Sequence, residues 1–456
     1  MSLGLPDQLR AAALAELAKC NKCGFCLTAC PTYLATGVEW EVARGRIALV
    51  KAALDGTLKP DELPMSVWSC LLCRNCLAHC PPGVEMDRIM VALRAALAGS
   101  LRVSPVRRFI MRGILPRRGR LEALVGAGRV AQAVSADRVL DLVPDSRARA
   151  ARRFAPRLCD PRFVRRQAKA QGLYQGGDDA RVAVFLGCAT EFGLPEVALS
   201  LGHLLRELDI PARLVPGACC GLPAHSWGDL EGAKQAARSN LALLADAAGA
   251  PEHIITPCAS CASFLCEYPA LFSEEGPEGK TARLLASRVL PASIYLARQG
   301  LPELLRRRGR PVAGFTFHYP CHLAHYLGGA AEARDLLRAL PGNGFVEMRE
   351  PDSCCGAAGS FAFTHPEHAQ AILERKMERV AETGAPVLAT ACPACLAQLA
   401  GGVKGAGLDV QVLHLLELAW RSLSPAQPEL GLLGPSAAGA ARAAPHTGGA
   451  AGSGLR

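Results

Sequence analysis

The sequence predicts an α+β multi-domain protein: a helical N-terminal region, then two tandem α/β units, each with a parallel sheet. Three observations predict it. Two cysteine runs of one spacing lie in the first hundred residues, cysteine groups repeat in the second half, and strand and helix patterns alternate around that repeat. The 456 residues allow several domains with ample core.

The first run is Cys20-Asn-Lys-Cys23-Gly-Phe-Cys26-Leu-Thr-Ala-Cys30-Pro31. Its spacing, C-x2-C-x2-C-x3-C-P, is that of a bacterial ferredoxin iron–sulfur site, and Gly24 lets the backbone turn tightly around it. The second run, Cys70-Leu-Leu-Cys73-Arg-Asn-Cys76-Leu-Ala-His-Cys80-Pro81, repeats it. In such pairs the fourth cysteine serves the other cluster. Cys20, Cys23, Cys26 and Cys80 are therefore expected to hold one [4Fe-4S] cluster, and Cys30, Cys70, Cys73 and Cys76 a second. The competing reading is structural zinc, which does not account for three cysteines at strict x2 spacing occurring twice.

Helix formers over residues 8–19 lead into the first run, with Leu9, Ala13 and Leu17 on one face. Residues 40–53 and 86–98 also read as helical, and residues 62–69 lead into the second run. Thirty-nine residues separate Cys30 from Cys70, more than a compact ferredoxin has. Residues 1–100 are accordingly expected to form a helical two-cluster ferredoxin-type domain.

Residues 101–180 form a basic connector. From Arg102 to Lys169 there are eighteen Arg and Lys against five Asp and Glu, while the rest of the chain is near neutral. This stretch reads either as a solvated connector or as a docking surface for an acidic partner or an anionic membrane face. Nucleic acid is not expected as a partner, because aromatics are sparse and no reader motif occurs.

From Arg181 strands and helices alternate. Strands are expected at 182–186, 212–215 and 253–256, each leading into cysteines: Cys188, then Cys219-Cys220-Gly221, then Cys258-Ala-Ser-Cys261. Strands at 315–319, 344–348 and 387–390 lead likewise to Cys321, Cys354-Cys355-Gly356 and Cys392-Pro-Ala-Cys395. Matching cysteines are offset by 133, 135, 135, 134 and 134 residues, so this is an internal repeat. Helices are expected at 195–208, 230–248, 330–340 and 367–382. Strand ends of a parallel sheet open on one edge, where ligands bind, so five thiols per copy are expected to converge there.

Residues 181–310 and 311–423 are thus expected to be two cysteine-rich CCG domains, followed by a disordered tail at 424–456. For each five-cysteine set four readings stand: an iron–sulfur cluster, zinc with one thiol left over, a redox-active dithiol, or reduced thiols packing a core. Cys159 and Cys266 read as small buried hydrophobes. His318, His322 and His325 flank Cys321, where two of them could ligate a metal or relay protons, and His225 and His365 follow the two CCG groups; all five read first as hydrogen-bonded side chains.

No G-x-G-x-x-G follows a strand, no phosphate loop occurs, and Gly126-Ala-Gly128 lacks the third glycine. FAD and NAD are therefore not expected on this chain, and the hard chemistry falls to a partner's cofactor. No apolar run is long enough to span a membrane, and the N-terminus lacks a signal-peptide pattern. The expectation is a cytoplasmic location, with a peripheral place on the inner face of the cell membrane as its extension.

Cys23-Gly-Phe-Cys26-Leu-Thr-Ala-Cys30-Pro-Thr-Tyr33, Arg44-Gly-Arg46-Ile47, Cys73-Arg-Asn-Cys76, Thr364-His365-Pro366 and the two CCG groups together resemble the glycolate oxidase iron–sulfur subunit family over residues 10 to 422. The resemblance implies a complex with FAD-containing dehydrogenase subunits that oxidise glycolate to glyoxylate, or D-lactate to pyruvate. Electrons would pass to a membrane acceptor of the quinone type. Two relatives share the motif order or part of it: the small subunit of anaerobic glycerol-3-phosphate dehydrogenase, and the CCG subunit of heterodisulfide reductase, whose CCG motifs hold non-cubane four-iron clusters that carry out disulfide chemistry. Members with the glycolate role often have an incomplete last C-x2-C. Here Cys392-Pro-Ala-Cys395 is intact, which leans toward the heterodisulfide-reductase-like or lactate-type relatives and leaves the hydroxy acid open.

Overall fold

The computed structural model of the chain describes residues 7–59, 63, 65–100, 104–134, 157–177, 180–245, 251–342 and 344–424. The expected tail beyond Ser424 and the basic stretch 135–156 lie outside the described residues.

The N-terminal region is helical. Helices Asp7–Lys19, Ala43–Leu54 and Met86–Ser100 bury one apolar face each, and Leu17, Ile47, Val50, Ile89, Met90 and Leu93 form their shared core. The helix expected over 40–53 begins only at Ala43, because Val42 is extended (φ −95°) after a turn at Glu39–Glu41. Ahead of the second run, among the described residues, Met65–Val67 make one 3-10 turn.

Two parallel sheets follow. The first orders its strands β2-β1-β3-β4, with β1 Val182–Phe185, β2 Ala212–Val215, β3 His253–Thr256 and β4 Val289–Pro291. The second orders β5 Phe315–His318, β6 Val387–Thr390 and β7 Gln411–His414. Strands β1, β5 and β6 are buried along their whole length, as helices on both faces require.

One expected strand is corrected. Residues 344–348 make a single parallel bridge, Phe315 to Phe345, where β2 would pair with its neighbour in the first copy. Val346 is exposed and only Met348 of the stretch is buried, so the second copy has too little apolar surface there to hold an edge strand. The repeat is otherwise kept: β5, β6 and β7 stand where β1, β3 and β4 do.

The three parts pack together. Arg94, buried in the N-terminal helices, donates to the Ser226 carbonyl (2.6 Å), and Trp68 lies 5.4 Å from Trp227. The Trp227 indole N–H in turn reaches Ser360 of the second repeat. The basic connector is neither free nor fully solvated. Its Arg112 pairs with Asp229 (2.8 Å) and its Arg118 with Glu191 (2.6 Å), while the Leu115 carbonyl accepts the Cys219 amide (3.2 Å). Among the described residues no helix is long and apolar enough to cross a membrane.

Candidate metal centres

The first run folds as a loop with Lys22 (φ 61°) and Gly24 (φ 90°) left-handed. The second run uses the same two positions, now Leu72 (φ 55°) and Arg74 (φ 56°). Glycine takes this conformation freely, whereas a branched or long side chain is strained in it. Arg74 is held there by its partners: Asp87 at 2.8 Å, Glu267 at 3.5 Å, and the Tyr326 ring 3.8 Å below its guanidinium. Tyr326 also donates its hydroxyl to the Leu72 carbonyl (2.7 Å). The strained loop is thereby fastened to the second CCG repeat.

Cys20, Cys23, Cys26 and Cys80 line one cleft, bordered by Gly24, Ile47 and Met86. Cys23 is exposed and Phe25 beside it is 59 % exposed, so this cleft opens to solvent. Cys76, expected in the other set, lines the same cleft, and burial and then the Cys70 and Cys30 sulfurs push its thiol well up. Buried Arg46 ties the two runs together, donating to the Ser66 carbonyl (2.7 Å), to Thr32 (3.1 Å) and to Ser69 (3.1 Å), with Cys30 at 3.9 Å. Asn75 adds a bond from the second run to the Ala29 carbonyl (2.8 Å).

In the repeats every cysteine group except Cys354-Cys355 follows closely on the carboxyl end of a strand, and Cys354-Cys355 follow the single bridge at Phe345. Gly221 (φ 97°) and Gly356 (φ 86°) turn the chain sharply after the paired cysteines. A Cβ on Gly356 would stand 2.9 Å from the Ala369 carbonyl oxygen, so no other residue fits without a shift. Each glycine amide points back to a sulfur, Gly221 to Cys219 (3.5 Å) and Gly356 to Cys354 (3.4 Å), and the Cys261 amide does so to Cys258 (3.4 Å).

The sulfurs form one array and not two separate sites. In the first repeat Cys188 interacts with Cys219, Cys219 with Cys220, Cys220 with Cys261, and Cys261 with Cys258. Cys258 then interacts with Cys392 of the second repeat. From there the line runs through Cys395, Cys355 and Cys354 to Cys321. Two hydrogen-bond groups pin the junction. Ser260 Oγ lies 2.9 Å from His322 Nδ1 and 3.4 Å from Cys392, and His414 Nε2 lies 3.0 Å from the Pro257 carbonyl. The line continues into the N-terminal domain, because Cys73 packs with Cys321 and Cys354 in one buried cluster. Eighteen of the twenty cysteines are thus strung between the solvent-exposed Cys23 and the interior.

The donor chemistry fits metal–sulfur centres. Burial pushes the Cys73 thiol well up, and neighbouring Cys354 and Cys321 push the same way. Cys355 goes the other way, pushed well down by hydrogen bonds from Cys354 and Cys395. Sulfurs crowded in this way repel one another as thiolates, and a bound cation is what relieves that. Five sulfurs per repeat exceed the four that a structural zinc takes.

The remaining candidates divide. Cys159 and Cys266 stand outside the array as half-buried thiols, each pushed up to about 11, first by burial. Burial pushes His225 down to about 4, and its ring packs 4.8 Å from Phe264. His325 faces Asp352 at 3.8 Å, and His365 stacks on Phe361. His322 borders Cys321 and Cys392, and His318 stands with Cys355 and Cys395 in a group whose ligand atoms all lie within 4.8 Å of one another. Sequence reasoning passed over Ser260, Lys376 and His414. Lys376 is 2 % exposed and donates to the Glu350 carbonyl (2.6 Å) beside Cys354 and Cys355. A lysine in an otherwise apolar helix face was the one available signal for it.

Comparisons with known proteins match the same regions of the chain. A 4Fe-4S dicluster domain model matches residues 16–84, and a cysteine-rich CCG domain model matches residues 182–265 and 315–400. The probable glycolate oxidase iron–sulfur subunit of Bacillus subtilis is 31 % identical over 422 residues, covering 88 % of this chain and 93 % of that one. The glycolate oxidase iron–sulfur subunit of Escherichia coli is 29 % identical, over 89 % and 94 %. A subunit of the dihydromethanophenazine:CoB–CoM heterodisulfide reductase of Methanosarcina acetivorans is 25 % identical, over 91 % and 96 %. An electron-transfer role within an oxidoreductase complex follows. With its dicluster domain, two CCG repeats and a relative matched almost end to end, the chain belongs to the family of glycolate oxidase iron–sulfur subunits.

Proposed function

We propose that the chain is the electron-transfer subunit of a flavin-dependent 2-hydroxy-acid dehydrogenase. The complex oxidises glycolate to glyoxylate, or D-lactate to pyruvate, and delivers electrons to a quinone-type acceptor. The observation that carries this is the unbroken line of sulfurs from exposed Cys23 to the fused CCG sites. Iron–sulfur clusters bound along it supply one-electron transfer over short steps.

The chain's own residues do the holding. Cys20, Cys23, Cys26 and Cys80 form the outer ligand set, and Cys30, Cys70, Cys73 and Cys76 the inner one. The CCG cysteines hold further centres. Arg46 and Asn75 fix the spacing between the two N-terminal sets, and the amides of Gly221, Gly356 and Cys261 orient sulfurs in the repeats. Phe25 and Cys23, open to solvent, form the face where a partner's flavin subunit exchanges electrons.

The chain alone is expected to turn over neither glycolate nor D-lactate, with activity returning when an FAD-containing partner is added. The second reading is a catalytic disulfide reductase, favoured by the junction at Cys258 and Cys392, where a small disulfide would meet sulfurs of both repeats. Turnover of a disulfide by the isolated chain, without the flavin subunit, would overturn the relay reading. Iron analysis adds a count: about eight irons if only the N-terminal sets are filled, about sixteen if both repeats carry four-iron centres.

A further inference from the structure

Among the positions beside the sulfurs where the two repeats differ, one is fully buried in both copies. The 133-residue offset that maps Cys188 onto Cys321 also maps Phe185 onto His318. Both residues end the first strand of their repeat, and both are fully buried. Phe185 suits such a place, because its ring has no polar atom to satisfy. His318 carries two ring nitrogens, and neither completes a hydrogen bond. Leaving a buried polar group unmet costs about 1–3 kcal/mol, so a partner is expected that the protein atoms alone do not provide.

The surroundings indicate which partner. A ring nitrogen of His318 and the sulfurs of Cys355 and Cys395 all lie within 4.8 Å of one another, the spacing of ligands around a shared metal. The carbonyl of Pro351, which accepts the Tyr319 amide at 3.0 Å, also acts on the His318 ring. Metal-ligating histidines commonly offer their second nitrogen to such a carbonyl. The two nearby histidines are already engaged: His322 Nδ1 by Ser260 (2.9 Å), and His414 by the Leu416 amide (3.2 Å) and the Pro257 carbonyl (3.0 Å).

We propose that His318 is a nitrogen ligand of the metal centre held by the second CCG repeat, so that this centre has mixed sulfur and nitrogen donors while the first repeat's is all sulfur. The inference rests on the reading that the CCG cysteines hold metal. An imidazole, unlike a thiolate, brings no negative charge, and in two-iron centres where His stands for Cys the potential rises. The second repeat keeps all five cysteines, so His318 would add a neutral donor to the centre held there.

The test uses the full chain, purified anaerobically with and without ¹⁵N-histidine, and read by metal analysis and pulsed EPR. The expected result is a histidine-nitrogen coupling in the wild type that changes with the label and is lost in His318→Phe, which copies the first repeat. His318→Cys, which keeps a ligand, is expected to retain the metal and lose the coupling. The coupling should survive in His322→Gln and His414→Gln. If both His318 variants shed the centre, the wild-type coupling surviving in those two controls carries the assignment. A chain with metal only for the N-terminal sets, about eight irons, overturns the underlying reading and this one with it. Metal in the repeats without histidine coupling, or with coupling that persists in either His318 variant, overturns this inference alone.

Discussion

Arg74 offers the sharpest test of how the N-terminal domain is fastened to the repeats. It takes the left-handed conformation that glycine takes in the first run, at a cost of about 1–2 kcal/mol. Against that, it supplies the hydrogen bond to Asp87, a carboxylate that is 8 % exposed and whose other oxygen has no partner. Removing one member of such a buried pair costs about 3–5 kcal/mol. The contact with the Tyr326 ring adds about 1 kcal/mol or more. Arg74→Ala keeps the backbone strain and loses both contacts, for a loss of about 5 kcal/mol; Arg74→Gly loses the same contacts but relieves the strain, for about 4 kcal/mol. The order of melting temperatures in the anaerobic, metal-loaded chain should be wild type, then Arg74→Gly, then Arg74→Ala, with the first gap on the order of 10 °C. An Arg74→Gly variant as stable as wild type would refute the argument, since it would mean that the contacts do no more than offset the strain of about 1–2 kcal/mol.

Four further outcomes follow from the same geometry. Cys30→Ser should remove iron from the inner N-terminal set before the outer one, visible as loss of one of two cluster signals by low-temperature EPR. Gly356→Ala should destabilise the second repeat by about 1–3 kcal/mol in denaturant titration, since its Cβ meets the Ala369 carbonyl and its φ is 86°. His368 and Glu41 clamp the domains together at 3.0 Å. The hydrogen bond to Glu41 raises the histidine above 6.5, while Glu41, despite burial, is held below 4.5 by His368. The histidine's share is complete below 6.5 and fades as pH rises through its raised value; the carboxylate's is complete above 4.5 and fades as pH falls through its lowered one. The stability gap between wild type and His368→Gln should therefore be widest between about pH 4.5 and 6.5 and narrow by pH 9; a gap that widens toward alkaline pH would contradict the pair. Glu267 is pushed up to about 7, first by burial and then by Asp87. The folded state then binds the extra proton between 4.5 and 7, so stability falls across that window. Glu267→Gln should flatten that fall in melts run from pH 4 to 8.

Much of the architecture was legible in the chain. The strands at 182–185, 212–215, 253–256, 315–318 and 387–390 are short apolar runs closed by cysteine groups, and the period of the groups gave away the duplication. Strands β4 and β7 were passed over because no cysteine follows them: β4 is three residues ending in Pro291, and β7 starts on exposed Gln411. Residues 344–348 misled because Phe, Val and Met look like a strand when their exposure is not known. The merging of the two CCG sites could not be read in advance. It depends on how Pro257–Cys261 meets Ala391–Cys395 across two sheets, which is set by surface shape and not by any local pattern. Arg74 was equally hidden, since a positive φ at a non-glycine residue has no signature of its own.

The burial of the sulfur line governs how such a protein is matured. Cys392 is fully buried, Cys354 and Cys355 are 4 % and 2 % exposed, and Leu71 and Cys73 close over Cys321 and Cys354. Among the described residues, the docked N-terminal domain thus covers sulfurs of the second repeat. Loading is expected to proceed from the inside outward, with the repeats filled while that domain is still open and the solvent-facing Cys23 set completed last. Brief alkylation of the metal-free chain measures the same gradient: label should enter Cys23 first and Cys392 last, and uniform labelling would show that the apo chain never closes.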